Sequence, residues 1–210
     1  MTPQSKWSSI AFLCLAGIAG VAASLNFRHP GRPPVELVTG TYVAPNRALP
    51  EFSLIDQHGK AFGSKNLLGH WTIMLFGYTN CPDFCPTTLA TLAALEKRLR
   101  AAGAAVRPQV VFMAVDAKRD TPAQLAKYVP DFDPEFIGIT AADQPTIEAA
   151  AAKLGVGIIL TTKPDGSYSV DHSAEVFVVN PAGKLAAILT GPWTVAALEA
   201  DFERIVAAPV

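Results

Sequence analysis

The run Trp71-Thr-Ile-Met-Leu-Phe-Gly-Tyr-Thr-Asn-Cys-Pro-Asp-Phe-Cys-Pro-Thr-Thr88 is the stretch from which the rest of the chain can be read. Trp71 to Tyr78 is a short apolar run with the character of a strand buried on both faces. A turn follows, and Cys81 and Cys85 then stand four residues apart where a helix is predicted to begin. If that helix starts near Cys81, side chains four apart share a face with Cβ atoms about 5–6 Å from each other, so both sulfurs reach one metal ion or, with adjustment, each other. A helix N-terminus also lowers a thiol pKa and favours the thiolate, which is both metal ligand and nucleophile. The pair therefore reads as soft-metal capture, redox exchange, or both.

Beyond this stretch, helix and strand alternate. Phe52 to Phe62 alternates around a turn at His58-Gly59 and predicts a hairpin. Leu89, Leu92, Leu95 and Leu99 recur at helical spacing until Gly103, and Val110 to Val115 predicts a second buried strand. Thr121-Pro122-Ala123-Gln124 has the form of a helix cap with proline at the first helical position, and Asp143 is placed to cap a helix through Leu154. Ala174 to Val179 and Lys184 to Thr190 predict two strands joined by a turn at Asn180 to Gly183. A last helix starts at Thr194 with Val195, Leu198, Phe202 and Ile205 inward. Strand, helix and strand followed by an antiparallel strand pair and a closing helix is the thioredoxin order, an α/β fold with a central mixed sheet flanked by helices.

Composition narrows the function classes. The 210 residues, half of them hydrophobic, suffice for one domain with a real core plus an extra segment. With 17 basic and 18 acidic residues the formal charge is −1, which leaves no broad electrostatic footprint for nucleic acid. Three cysteines, Cys14, Cys81 and Cys85, exclude a disulfide-stapled scaffold.

The N-terminal segment bears on location. Ser8 to Phe27 carries no charged side chain, between Lys6 and Arg28, and is just long enough to cross a hydrocarbon layer of about 30 Å as a helix. Residues 1–28 read as a single transmembrane anchor; the alternative is a signal peptide cleaved near Val21-Ala22-Ala23, shorter in its usual apolar core than this run. Cys14 reads as an apolar residue of that span. No Arg-rich amphipathic presequence is present, which favours a bacterial inner membrane with the domain in the periplasm. Residues 29–47, with Pro30, Pro33, Pro34 and Pro45, read as a stiff tether, and residues 48–210 as the folded domain.

With that fold expected, a third ligand appears in Val170-Asp-His-Ser-Ala-Glu-Val176, just before a strand that would lie beside the cysteine helix. Ordinary thioredoxins carry a cis-proline there, whereas this chain carries His172. Two sulfurs and an imidazole nitrogen make a three-coordinate, soft-leaning set that suits Cu(I) and accepts Cu(II). A closed zinc site would want a fourth protein ligand, and none is comparably placed.

These motifs resemble the Sco/SenC/PrrC family of membrane-anchored, thioredoxin-like copper proteins. The resemblance rests on Thr79-Asn-Cys81-Pro-Asp-Phe-Cys85-Pro-Thr-Thr, on Val115-Asp-Ala-Lys-Arg-Asp-Thr-Pro122 and on Asp171-His-Ser173, in family order over residues 48 to 206. It implies that Cys81, Cys85 and His172 bind copper and that the domain helps mature the dinuclear copper centre of cytochrome c oxidase. The copper-centre subunit of the oxidase is then the expected partner, with other copper chaperones or thioredoxin-like reductases as further candidates. One departure is Ala117, where the family usually carries proline, which predicts a looser loop after Asp116.

Other residues have plainer readings. Asp116 is placed to shape a turn with Arg119 and Asp120, and could instead orient a ligand or bind a partner. The 131–135 segment, with three acidic residues, reads as a solvated loop before an acidic docking patch. His58 and His70 fall in exposed turns. Asp171, His172 and Ser173 are consecutive and cannot form a hydrolase triad among themselves, and no phosphate loop or dinucleotide fingerprint is present. Two rivals to copper delivery remain: thiol-disulfide exchange by Cys81 and Cys85 on a partner's copper-site cysteines, and copper or redox sensing.

Overall fold

A computed structural model describes residues 35–208. The predicted anchor, Cys14 and the first part of the predicted tether lie outside these residues. Among the described residues no helix is long and apolar enough to cross a membrane.

Ten strands and four α-helices follow one another: β1 (Gly40–Ala48), β2 (Ser53–Asp56), β3 (Ala61–Gly63), β4 (Thr72–Gly77), α1 (Phe84–Ala101), β5 (Gln109–Ala114), α2 (Pro122–Tyr128), β6 (Ile137–Thr140), α3 (Gln144–Leu154), β7 (Ile158–Thr162), β8 (Tyr168–His172), β9 (Val176–Val179), β10 (Lys184–Leu189) and α4 (Val195–Ala207). Eight strands form one mixed sheet in the order β1-β10-β9-β4-β5-β6-β2-β3, and β7 and β8 form a separate hairpin. β4 and β5 run parallel with α1 as their crossover, and β9 pairs antiparallel to β4. The expected order of strands and helices is present.

Strand alternation builds two cores from the central strands. Ile73 and Leu75 face α1 and α4, packing with Leu89, Leu92, Leu95, Leu99, Leu198, Phe202 and Ile205. Met74 and Phe76 face the other way, toward Ile147 and Leu154 of α3. A strand covered on both faces gains nothing from polar alternation, which is why β4 reads as a continuous apolar run. Helix starts follow their caps: Thr121 Oγ1 accepts from Gln124 N (3.3 Å), Asp143 Oδ1 from Thr146 N (2.8 Å) and Thr194 Oγ1 from Ala197 N (3.2 Å). Gly155, at φ +84°, closes α3 in the left-handed region.

The domain starts earlier than the sequence suggests. Residues 40–48, read mostly as tether, form β1 and pair with β10 through Gly40↔Leu189 and Ala48↔Lys184, with a register shift between Tyr42 and Arg47. Pro45 falls within that irregular stretch, so the missing N–H costs no ladder bond. Just before β1, the fully buried Asp201 of α4 accepts from Val38 N (2.8 Å), Thr39 N (2.7 Å) and Thr39 Oγ1 (2.7 Å), with Arg204 alongside (3.3 Å). This carboxylate fixes where the chain enters the domain. Asp201→Ala is expected to cost about 3–5 kcal/mol, since it strips a buried, charge-assisted set of bonds from two amides and a hydroxyl. The check is a lowered urea midpoint with the same denaturant slope.

Candidate metal centre

The helix begins three residues later than its cysteine spacing suggests. α1 starts at Phe84, so Cys85 lies in its first turn and Cys81 in the loop before it. That loop turns at Tyr78, whose carbonyl accepts from Cys81 N (3.1 Å). The four-residue spacing then acts as a cap rather than as a shared helix face: Cys81 Sγ accepts from Cys85 N (3.4 Å). Asp83 occupies the N-cap position without a cap bond from its side chain, so a sulfur takes a backbone donor that a cap oxygen would otherwise hold. Asp83 instead accepts from the Thr87 hydroxyl (3.2 Å).

Both cysteines are free thiols but unlike in exposure, Cys81 being half-buried and Cys85 buried. Burial pushes the Cys85 thiol far above its usual range, with the nearby Cys81 and Asp120 adding to the effect and a hydrogen bond from the Tyr78 backbone opposing it. The helix N-terminus therefore does not make Cys85 a ready thiolate, contrary to the expectation from its position. Room for its sulfur comes from Gly77 at the end of β4: a Cβ there would lie 2.7 Å from Cys85 Sγ and 2.8 Å from Phe112 Cε2. Gly77→Ala is expected to cost about 1–3 kcal/mol by overpacking, because the Phe112 ring is fully buried and has nowhere to go. A denaturation midpoint checks this, together with faster labelling of Cys85 by a thiol reagent in the native protein.

His172 ends β8, half-buried, opposite Ile158 of β7. Its Nδ1 lies 2.7 Å from the Ser173 carbonyl oxygen, which assigns the proton to Nδ1 and leaves the Nε2 lone pair for a metal. The imidazole meets the Tyr78 ring edge to face, centroids 6.1 Å apart, and Tyr78 is also the cysteine-loop residue whose carbonyl accepts from Cys81 N. The histidine thus neighbours the cysteine loop through Tyr78. As they stand, no three His, Cys, Asp or Glu side chains among the described residues form a group that could hold a metal ion. The two thiols are together, and the histidine is their neighbour across Tyr78.

The loop after β5 touches both sides. Asp120, fully buried, accepts from Thr79 N (3.1 Å) and Thr79 Oγ1 (2.6 Å), two residues before Cys81. Burial raises its pKa to about 6 against these bonds. Asp116, also buried, binds the Arg119 Nε and accepts from the Tyr168 hydroxyl (2.9 Å) at the start of the histidine strand. Asp116 thus shapes its turn as expected and also reaches across to the hairpin. The looser loop expected from Ala117 is not what the structure shows. Ala117 N donates to Gln144 Oε1 (2.9 Å) and Gln144 Nε2 donates to the Val115 carbonyl (3.0 Å), so α3 holds the loop through an N–H that proline lacks.

Sequence reasoning missed the contacts of Tyr78, Tyr168 and Gln144, and gave Arg119 a place in the turn with Asp116 but not its stacking on the two tyrosines. The β-branched run Ile158-Ile-Leu-Thr-Thr162 followed by Pro164-Asp-Gly166 was a hairpin signal that would have placed Tyr168 and His172 on one strand. The acidic segment is neither a free patch nor a plain solvated loop: Asp133 and Glu135 pair with Arg100 (3.4 and 3.1 Å), and Arg107 joins Glu135 (3.3 Å) to the buried Glu96 (3.1 Å). His58 and His70 are exposed, as expected.

A thiol pair at the strand-to-helix turn of this sheet defines a thioredoxin-like protein with a histidine hairpin beside the thiols. The chain belongs to the SCO1/SenC family, whose model matches residues 41–207. It is 42% identical over 131 residues to the mitochondrial SCO1 homolog 1 of Arabidopsis thaliana, covering 62% of this chain and 38% of that longer protein. To an SCO2-like protein of Rickettsia conorii it is 32% identical over 176 residues, 83% of this chain and 84% of that one. Among solved structures, Arabidopsis thaliana ScoI with copper bound is similar at a TM-score of 0.70 and 34% identity, over 75% of this chain and 96% of that one. Yeast Sco1 with copper bound is similar at 0.71 and 31% identity, over 78% and 91%.

Proposed function

We propose that this protein is a copper metallochaperone that takes up copper through Cys81, Cys85 and His172 and helps assemble the dinuclear copper centre of cytochrome c oxidase. The observation that carries the proposal is the pairing of a half-buried and a buried free thiol beside an imidazole whose Nδ1 is already engaged. Two sulfurs and one nitrogen suit a soft cation, and the copper-bound relatives support copper as the cargo. Cys81 is the accessible first contact. Cys85 stays protonated until a metal displaces its proton, so uptake that engages Cys85 releases that proton to solvent. His172 adds its Nε2 from the hairpin. Delivery to a dithiol target is then an exchange of sulfur ligands.

A second reading is favoured by the same asymmetry of the thiols. Cys81 would attack a partner disulfide, forming a mixed disulfide and releasing one partner thiolate. Cys85 would then attack Cys81, releasing the second and leaving a Cys81–Cys85 disulfide, with two electrons passed to the partner. Burial of the resolving thiol slows that step, so general reductase activity is expected to be weak against a nonspecific disulfide. The oxidase copper-centre subunit is the proposed partner in either case.

Ser8 to Phe27 is proposed as an anchor in a bacterial inner membrane, with the domain in the periplasm close to membrane-embedded oxidase. Replacing the segment before Arg28 with a cleavable export signal is expected to leave copper binding intact but lower oxidase activity at native expression in limiting copper. Undiminished activity would reduce the segment to an export signal.

The ligand set is tested by Cys81→Ser, Cys85→Ser and His172→Ala. Each is expected to lower copper affinity by about a hundredfold or more, beyond the effect of changing an outer-shell partner. Chelator competition under reducing conditions gives Cu(I) affinity, and the same measurement with Cu(II) gives the other state. Full-strength binding of both by His172→Ala would remove the histidine from the site.

A further inference from the structure

The histidine hairpin has no ladder bonds to the main sheet, since β7 and β8 pair only with each other. Side chains hold it instead. Val170 is buried in the core on the α3 side, whereas the bond from Ser173 N to the Gly157 carbonyl (3.4 Å) joins the two ends of the hairpin to each other. A second attachment is Tyr168, at the far end of β8 from His172. Its hydroxyl donates to Asp116 Oδ1 (2.9 Å), and its ring lies under the Arg119 guanidinium, 4.1 Å from centroid to Cζ. Arg119 is in turn bound to Asp116 through Nε and faces the Tyr78 ring at 5.5 Å. Its Nη2 is buried without a hydrogen-bond partner among the described residues, so the cation is held largely between two aromatic faces.

The five residues from Asp116 to Asp120 thus grip two segments that are remote in sequence. Asp120 holds Thr79 and with it the Cys81 loop; Asp116 and Arg119 hold Tyr168 and with it the strand that ends in His172. Both carboxylates sit on one short turn, where Asp116 O accepts from Asp120 N (2.8 Å), and Gln144 pins that turn to α3.

We propose that Tyr168 is a positioning residue for His172, and that the turn from Asp116 to Asp120 acts as a caliper setting the imidazole against the thiols. The proposal rests on the reading of His172 as a copper ligand. Tyr168 touches no metal. It fixes the strand four residues upstream, so that the histidine is presented without the entropic cost of ordering a free hairpin.

The test is Tyr168→Phe in the full chain, which keeps the ring and removes one hydrogen bond to a buried carboxylate. The probes are Cu(I) and Cu(II) by chelator competition, with nitrogen hyperfine coupling of the Cu(II) form as the signature of the imidazole. Affinity is expected to fall about tenfold, the size of one such bond, with altered nitrogen coupling. In a His172→Ala background the same change is expected to shift affinity less than about twofold, because its effect travels through the histidine. Amide exchange of residues 168–172 in the metal-free chain should quicken while α1 is unchanged. An equal loss in both backgrounds, or unchanged exchange and affinity in Tyr168→Phe while His172→Ala binds poorly, overturns the positioning role. If His172→Ala itself binds both ions at full strength, the ligand reading falls and the positioning role falls with it.

Discussion

Two buried carboxylates on one turn hold this site in shape. Asp116 and Asp120 are four residues apart, and neither is satisfied within its own turn alone. A buried carboxylate without partners is costly, so each needs donors from elsewhere, and the donors available come from opposite sides of the centre. Thr79 belongs to the cysteine loop and Tyr168 to the histidine strand. The need to satisfy these two charges draws together segments separated by 41 and 52 residues. The thioredoxin-like sheet supplies the platform, and that turn bridges the cysteine loop and the strand of His172.

The thiol pair shows how position and burial compete. A place in the first turn of a helix favours a thiolate through the amide dipoles, while loss of water disfavours it. For Cys85 burial wins, since Gly77 lets the sulfur sink beneath the end of β4 against Phe112. Cys81, outside the helix and half-buried, uses its sulfur as a cap. One cysteine is therefore a door and the other a lock. This inequality follows from a helix that starts at Phe84 rather than at Cys81.

Much of this was legible in the sequence because the signals are local. β4, β5, α1, α3 and α4 follow from apolar period and cap residues, and Thr121, Asp143 and Thr194 cap as their spacing suggests. Cys81 caps Cys85 N at the start of α1, and the His172 ring meets the ring of Tyr78. What escaped was non-local. β1 was hidden by Pro45, whose place in a register shift only the pairing with β10 makes harmless. The partnership of Asp116 with Tyr168 has no sequence period to announce it, and neither has that of Asp201 with Thr39, 162 residues away.

Gln144 links this chain's departure from its family to a constraint on how the chain can vary. Where the resemblance leads one to expect a proline ring, this protein stiffens the turn with a side-chain amide that bridges Ala117 N and the Val115 carbonyl. The two devices are mutually exclusive at one atom, because proline has no N–H to offer and would strand Gln144 Oε1. Positions 117 and 144 are therefore coupled through one hydrogen bond, although they lie 27 residues apart. A proline at position 117 would give up that bond and leave Gln144 holding the turn to α3 through the Val115 carbonyl alone, so the choice of residue in this turn decides how many points tie it to a helix.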